Sequence, residues 1–140
     1  KQQEKAENGK GNESLLDGVP KTMPALMLAY EYQSRAAKAG FEWDEIGDVR
    51  AKIIEELDEV LNAETAAERA DEIGDVLFVL VNWARWLKVE PETALRETGA
   101  KFYRRFSFIE QRVRETGQPM SNFTLAELES FWNEAKSNGL

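Results

Sequence analysis

Apolar residues recur at helical spacing through nearly the whole chain, and no stretch alternates as a half-buried strand would. Leu26, Tyr30, Gln33 and Ala37 mark a first helix from about Thr22, with Pro24 in its first turn, where a missing N–H is harmless, and Gly40 at its end. Phe41-Glu42-Trp43 follows as an aromatic loop. A second helix is predicted from about Asp44 to Asn62, on a stripe of Ile53, Leu57, Val60 and Leu61 flanked by Ile54. Glu55, Glu56 and Glu59 lie off that stripe. The third opens at Thr65, where Thr65-Ala66-Ala67-Glu68 reads as a capping box, and runs to about Lys88. Its second half, Val76–Leu87, is apolar nearly all round, which predicts a central, buried helix and, in so small a domain, a dimer core. Glu72, Asp75, Val79, Asn82 and Trp86 share one stripe of it. A fourth helix runs from Pro91 to about Glu115, with Phe102, Phe106, Ile109 and Val113 as core and Lys101, Arg105, Phe108 and Arg112 on another stripe. The last starts at Thr124, where Thr124-Leu125-Ala126-Glu127 is a second capping box. Leu125, Leu128, Phe131, Trp132 and Ala135 form its apolar face. The expected fold is all-α, a bundle of four to five helices.

Composition narrows the chemistry. The 140 residues suffice for one compact domain with a real core, and 42% are hydrophobic. There is no apolar stretch long enough to span a membrane and no signal sequence at the start, so a cytoplasmic location is expected. Residues 1–14 are polar, charged and without aromatics, and read as a linker. The chain opens on Lys1 rather than Met, so it is expected to be processed or cut from a longer chain. Without cysteine, thiolate nucleophiles, disulfides and Cys-zinc sites are excluded; without histidine, the commonest general base is missing. Carboxylates, Lys, Arg, Tyr, Ser/Thr or a metal-bound water must carry any reaction. A formal charge of −8 argues against nucleic-acid binding and means that an anionic substrate needs a cation and a local basic patch.

Two acidic clusters supply the sharpest signal, Glu55-Glu56-Leu57-Asp58-Glu59 and Glu72-Ile73-Gly74-Asp75, with twelve residues between Glu59 and Glu72. Residues three apart on a helix project to the same side, which pairs Glu56 with Glu59 and Glu72 with Asp75. If the helices fold back around Ala63-Glu64, Glu56 and Glu72 come to the same height. Four carboxylates so close repel unless a cation neutralises them, and an all-oxygen set suits Mg²⁺ or Mn²⁺. Taken alone, the first cluster also reads as a solvated helix face. Glu72 and Asp75 do not, because their helix turns apolar at once.

The acid pattern, together with Ser14-Leu15-Leu16-Asp17-Gly18-Val19-Pro20, Pro24-Ala25-Leu26-Met27, Gly40-Phe41-Glu42-Trp43, Asp75-Val76-Leu77-Phe78, Val81-Asn82-Trp83-Ala84-Arg85 and Lys101-Phe102-Tyr103-Arg104-Arg105-Phe106, resembles the MazG-type nucleoside triphosphate pyrophosphohydrolases of the all-α NTP pyrophosphatase superfamily. The resemblance covers about residues 14–135. It implies a MazG-like bundle over 14–140 that is a homodimer or a higher oligomer. It further implies the C-terminal domain of a two-domain parent, with 1–13 as interdomain linker, and Mg²⁺-dependent hydrolysis of nucleoside triphosphates to monophosphate and pyrophosphate. Glu56, Glu59, Glu72 and Asp75 fall on its metal-binding positions. Glu55 is the extra acid, which orients or deprotonates the attacking water or stands behind the ligands.

Other residues keep two readings. Lys52 is either an ion-pair partner of Glu56 one turn on or a phosphate contact. Lys101, Arg104 and Arg105 match the family's basic segment and contact phosphates or make surface or interface ion pairs. Trp43 stacks on a base or belongs to the core. Asn82 bonds a base or sugar or caps a neighbouring backbone group. Gly99 stands where the family often has Asn, which puts activity level or base preference in question. The rivals are a base-selective dUTP or dCTP pyrophosphatase and a non-catalytic helical dimerisation or regulatory module.

Overall fold

The computed structural model describes residues 13–140, so the expected linker lies, but for Glu13, outside the described residues. Those residues form five α-helices, α1 Ala25–Lys38, α2 Ile46–Asn62, α3 Ala66–Trp86, α4 Pro91–Thr116 and α5 Leu125–Ser137, with a 3₁₀ turn at Met120–Asn122 and no strand among them. The all-α expectation is met. The chain divides into two compact units, one ending at Glu92 and the other Thr93–Leu140.

In the first unit, α2 and α1 both pack on α3. Pro24 sits at the N-cap of α1, one residue ahead of the first turn. Gly40 ends that helix at φ +106°, where the Gly40 N–H donates to the Ala37 carbonyl and Phe41 N–H to that of Ala36, a left-handed cap that a Cβ would strain. The residues ahead of α1 turn at Ser14–Asp17 and bury Val19, and Arg35 of α1 donates to the Asp17 carbonyl at 2.8 Å. At the start of α2, Glu45 and Asp48 form a reciprocal capping box that sequence reading missed, since an acid rather than Ser or Thr fills the cap. At the start of α3 the expected box is only half made. Glu68 N–H donates to Thr65 Oγ1 at 3.1 Å, and the Glu68 carboxylate takes the Thr65 hydroxyl instead of the backbone N–H. Lys88 closes α3 in the left-handed region at φ +63°, with the Val89 N–H reaching back to the Ala84 carbonyl.

Two burial expectations need correction. The buried face of α2 is Val49, Ile53 and Glu56, whereas Leu57 and Leu61 are 50% and 83% exposed. The wheel chose the side richer in leucine; packing on α3 selects the side that carries the carboxylate. Likewise α3 is not buried all round by this chain. Val76 and Val81 are buried, but Ile73, Leu77, Phe78 and Leu80 remain exposed because α1 and α2 cover only part of its circumference.

In the second unit, Ile109 and Val113 of α4 and Ala135 of α5 are buried. Phe102 and Phe106, expected in the core, stack on each other at 5.7 Å but are 55% and 36% exposed. Thr124 and Glu127 make the full capping box foreseen for α5.

Candidate active site

The α2–α3 turn brings the two acidic clusters together. One carboxylate oxygen from each of Glu56, Glu59 and Glu72 lies within 4.8 Å of the others, and the same holds for Asp71, Glu72 and Asp75. Glu72 joins the two sets. Glu56 is only 6% exposed. Its Oε1 accepts from Lys52 Nζ at 3.0 Å, while its Oε2 is buried with no partner. Glu72 Oε2 is in the same condition. Glu55 is exposed and faces Lys52 Nζ at 3.0 Å. Asp71 was not singled out from the sequence; its signal was available, since it precedes Glu72 directly and stands one turn before Asp75.

The cluster is under electrostatic load. Desolvation first, then a hydrogen bond and repulsion from Glu59 and the charges of Asp75 and Glu56, hold the Glu72 carboxyl above its ordinary range. Asp75 is raised as well, by desolvation and then by Asp71 and Glu56, with Lys52 opposing. Hydrogen bonds to Glu56 and Glu55 hold Lys52 firmly protonated. One ammonium thus pairs with two of the acids and reaches Asp75 only through its field, and Glu59, Asp71, Glu72 and Asp75 make no ion pair among the described residues. Buried carboxylate oxygens without a donor are costly unless a cation takes them. An all-oxygen, multiply acidic donor set with two orphaned oxygens fits a hard divalent cation.

Beside the cluster is a cavity of about 530 Å³, mostly apolar and lined among others by Gln33, Trp43, Lys52, Phe78 and Asn82. Lys52 belongs to both features, so cluster and cavity adjoin. Trp43 is partly exposed on the cavity wall rather than packed in the core. The loop carrying it is tied to α3 through Glu42. Arg85 Nη2 donates to both Glu42 oxygens at 2.7 and 2.6 Å, Trp86 Nε1 donates to Oε1 at 3.1 Å, and Trp43 N–H donates to the same oxygen at 3.0 Å. Burial opposes ionisation of Glu42, but the Arg85 bond and these donors outweigh it and keep the carboxyl below its usual range. Neither Glu42 nor Arg85 was expected to matter, because their pairing spans 43 residues of sequence.

The basic segment lies in the second unit, on α4. Arg105 stacks its guanidinium over Trp132 at 5.1 Å from the ring centre. Lys101 is half-buried and Arg104 exposed, and neither makes an ion pair among the described residues. Gly99 sits within α4 with open space where a Cβ would stand.

The family model described as phosphoribosyl-ATP pyrophosphohydrolase matches residues 27–102. A protein of Escherichia coli (strain K12) named nucleoside triphosphate pyrophosphohydrolase is 40% identical over 132 residues, covering 91% of this chain and 50% of its own length. One from Thermotoga maritima, named nucleoside triphosphate pyrophosphohydrolase/pyrophosphatase MazG, is 37% identical over 130 residues, covering 93% and 51%. A Bacillus subtilis protein, uncharacterized protein YabN, is 44% identical over 136 residues, covering 94% and 28%. The chain belongs to the phosphoribosyl-ATP pyrophosphohydrolase family, as a MazG-like domain. It spans about half the length of the curated E. coli and T. maritima relatives.

Proposed function

We propose that this chain hydrolyses nucleoside triphosphates to nucleoside monophosphate and pyrophosphate with Mg²⁺, Mn²⁺ serving in its place. The observation that carries this reading is the pair of orphaned, buried carboxylate oxygens on Glu56 and Glu72, set beside a cavity large enough for a nucleoside. The names of the E. coli and T. maritima relatives support the same reaction.

In this reading Glu56, Glu59, Glu72 and Asp75 hold the cation, with Asp71 adding a further oxygen. When bound, the cation screens the triphosphate and acidifies water. Water adds across the α–β phosphoanhydride, the bond to the departing pyrophosphate breaks, and the Glu55 carboxylate takes up the water's proton. Lys52 keeps Glu55 and Glu56 oriented and presents the nearest positive charge to an incoming phosphate. Trp43 stacks on the base and Asn82 hydrogen-bonds it. Lys101 and Arg104 are the remaining phosphate-contact candidates. For Arg105 the stack on Trp132 favours a packing role.

The exposed apolar residues of α2 and α3, among them Leu57, Leu61, Ile73 and Leu77, support a homodimer, for which sedimentation is the direct check. No described helix is long and apolar enough to cross a membrane, and a nucleotide substrate accords with a cytoplasmic location. Pyrophosphate release from the eight common nucleotides, with Mg²⁺ and with an EDTA control, tests the function. Metal-dependent release supports it and ranks the bases. No release from any of them leaves a helical module with an acidic surface.

A further inference from the structure

Lys52 stands where the acid cluster meets the cavity, and its two carboxylate partners differ sharply in their surroundings. Its Nζ lies 3.0 Å from Glu55 Oε2 and 3.0 Å from Glu56 Oε1. The Glu55 side chain is 57% exposed and the Glu56 side chain 7%. The other oxygen of Glu56, Oε2, is buried with no hydrogen-bond partner. As it stands, Glu56 therefore offers no open oxygen to a cation arriving from solvent: one is sealed in and the other carries the ammonium. Glu59, Glu72 and Asp75 make no ion pair among the described residues, so of the four expected ligands Glu56 alone is held by a lysine. Something must move before all four can act together, and Lys52 is the part free to do so. Its side chain is 33% exposed and lines the cavity. An ammonium on a flexible four-carbon stem is a point charge without a fixed fork, and it changes partners readily. A buried carboxylate stripped of its only partner is strongly destabilising, which explains why the lysine sits there while no cation does.

We propose that Lys52 is a built-in, displaceable counter-ion of the acid cluster. It holds Glu56 while the cluster is empty, releases Glu56 when a divalent cation binds, and carries its charge, still beside Glu55, to the phosphates of a ligand in the adjoining cavity. This rests on the reading of the acids as a cation site and of the ligand as a nucleotide. Cation and phosphate binding are then coupled through one side chain. The cation frees the ammonium that the phosphates take up, and by linkage a bound polyphosphate, drawing Lys52 away, tightens the cation by the same factor. A lysine that only orients Glu56 would keep its bond throughout, and the two cases predict opposite signs when the charge is removed.

The test is binding rather than turnover. Mg²⁺ alone is titrated calorimetrically into the nucleotide-free chain and into Lys52→Met. The variant should bind Mg²⁺ about tenfold tighter, the order expected when a unit positive charge beside the site is removed. At saturating Mg²⁺, the best-bound of the α,β-methylene triphosphates of adenosine, cytidine, guanosine and uridine should bind the variant about tenfold more weakly. A damaged fold weakens both ligands, so the opposed signs are the signature. Mg²⁺ binding that is unchanged or weaker in Lys52→Met overturns the proposal, and tighter Mg²⁺ with unchanged analogue binding overturns the transfer to phosphate. Lys52→Gln, which drops the charge and keeps a polar end, is run beside it and should shift both affinities in the same directions. The unaltered chain supplies a readout that needs no variant to fold. The Lys52 ammonium resonance, protected from exchange by two carboxylates in the empty site, should lose that protection when Mg²⁺ saturates the chain. Its persistence overturns the displacement. Mg²⁺ binding without any Lys52 response removes this inference and keeps the cation reading of the acids; no Mg²⁺ binding by the unaltered chain removes both.

Discussion

The α2–α3 pair and the α4–α5 pair are both rich in charge, and they dispose of it in opposite ways. In α4–α5 Arg112 is absorbed by its own unit and Arg105 packs on a ring, although Arg105 Nε is buried without a hydrogen-bond partner and Lys101 and Arg104 make no ion pair among the described residues. Arg112 reaches Glu115 at 3.1 Å and Glu134 at 3.2 Å and lies over the Phe131 ring, and Arg105 lies over Trp132. In α2–α3 five carboxylates crowd together, a single lysine answers two acids, and two oxygens are buried with nothing to accept from. Charge that a fold has satisfied is structural. Acidic charge that it has desolvated and left unmatched suits a cation from outside, and that supports placing the proposed chemistry in the first unit.

The largest effect should separate the two regions outright. Glu56→Gln or Glu72→Gln should cut pyrophosphate release by at least about 10²-fold, since charge screening and water activation depend on one ligand set. Glu72→Gln should match or exceed the parent in melting temperature when metal is stripped, because a repulsive charge is gone, whereas Glu56→Gln also loses the ion pair with Lys52. Mg²⁺ should raise the parent's melting temperature and do so much less in the variants, as expected for a ligand that binds only the folded state. Normal turnover with no Mg²⁺ shift would erase the contrast.

Next in size is Trp43→Ala, expected to weaken nucleotide binding by about 1–3 kcal/mol while leaving the Mg²⁺ shift intact. Lost melting temperature at unchanged affinity would return Trp43 to the core.

A smaller effect belongs to α4. Arg105→Ala should cost about 0.5–2 kcal/mol of stability through the lost stack on Trp132, without touching the Mg²⁺ shift. Arg104→Ala should leave stability within about 0.5 kcal/mol. If Arg105→Ala instead abolishes turnover at unchanged stability, the charge on α4 is not absorbed after all.

The gentlest probe is pH in the metal-free protein. Glu72 and Asp75 are raised in the folded state, so it binds protons that the unfolded chain gives up. Stability should therefore rise as pH falls from neutral through their raised values, and level off near the ordinary carboxylate range of about 4. Glu42, which is lowered, works the other way and loses its contribution only below that range. Melting in EDTA across this window, with Glu72→Gln flattening the slope, is the check.

Helix positions were legible because helical periodicity and end signals are local; Pro24, Gly40, Thr65, Pro91 and Thr124 each mark a boundary within a residue or two. The acid cluster was legible for the same reason, since a three-residue spacing and a short turn set its geometry. What local pattern could not supply was the choice of buried face. Glu56 sits where a leucine would be expected, and Leu61 where a charge would be, because α3 and not α2 decides which side is covered. Contacts between distant residues, Glu42 with Arg85 and Gln33 with Phe78, leave no trace in spacing. Asp71 was within reach, masked by its sharper neighbours.

The Glu42 junction has a mechanical side. Pinned at once by Arg85, Trp86 and the backbone of Trp43, it makes the loop a cantilever clamped one residue from its tip. Glu42 thereby ties the link between α1 and α2 to α3 beside the cavity. Its position is inherited from α3, the helix that also carries Glu72 and Asp75, so one helix holds both this part of the cavity wall and two of the acids. On the proposed function, the entropy of ordering that wall is met when the chain folds and not when a nucleotide binds.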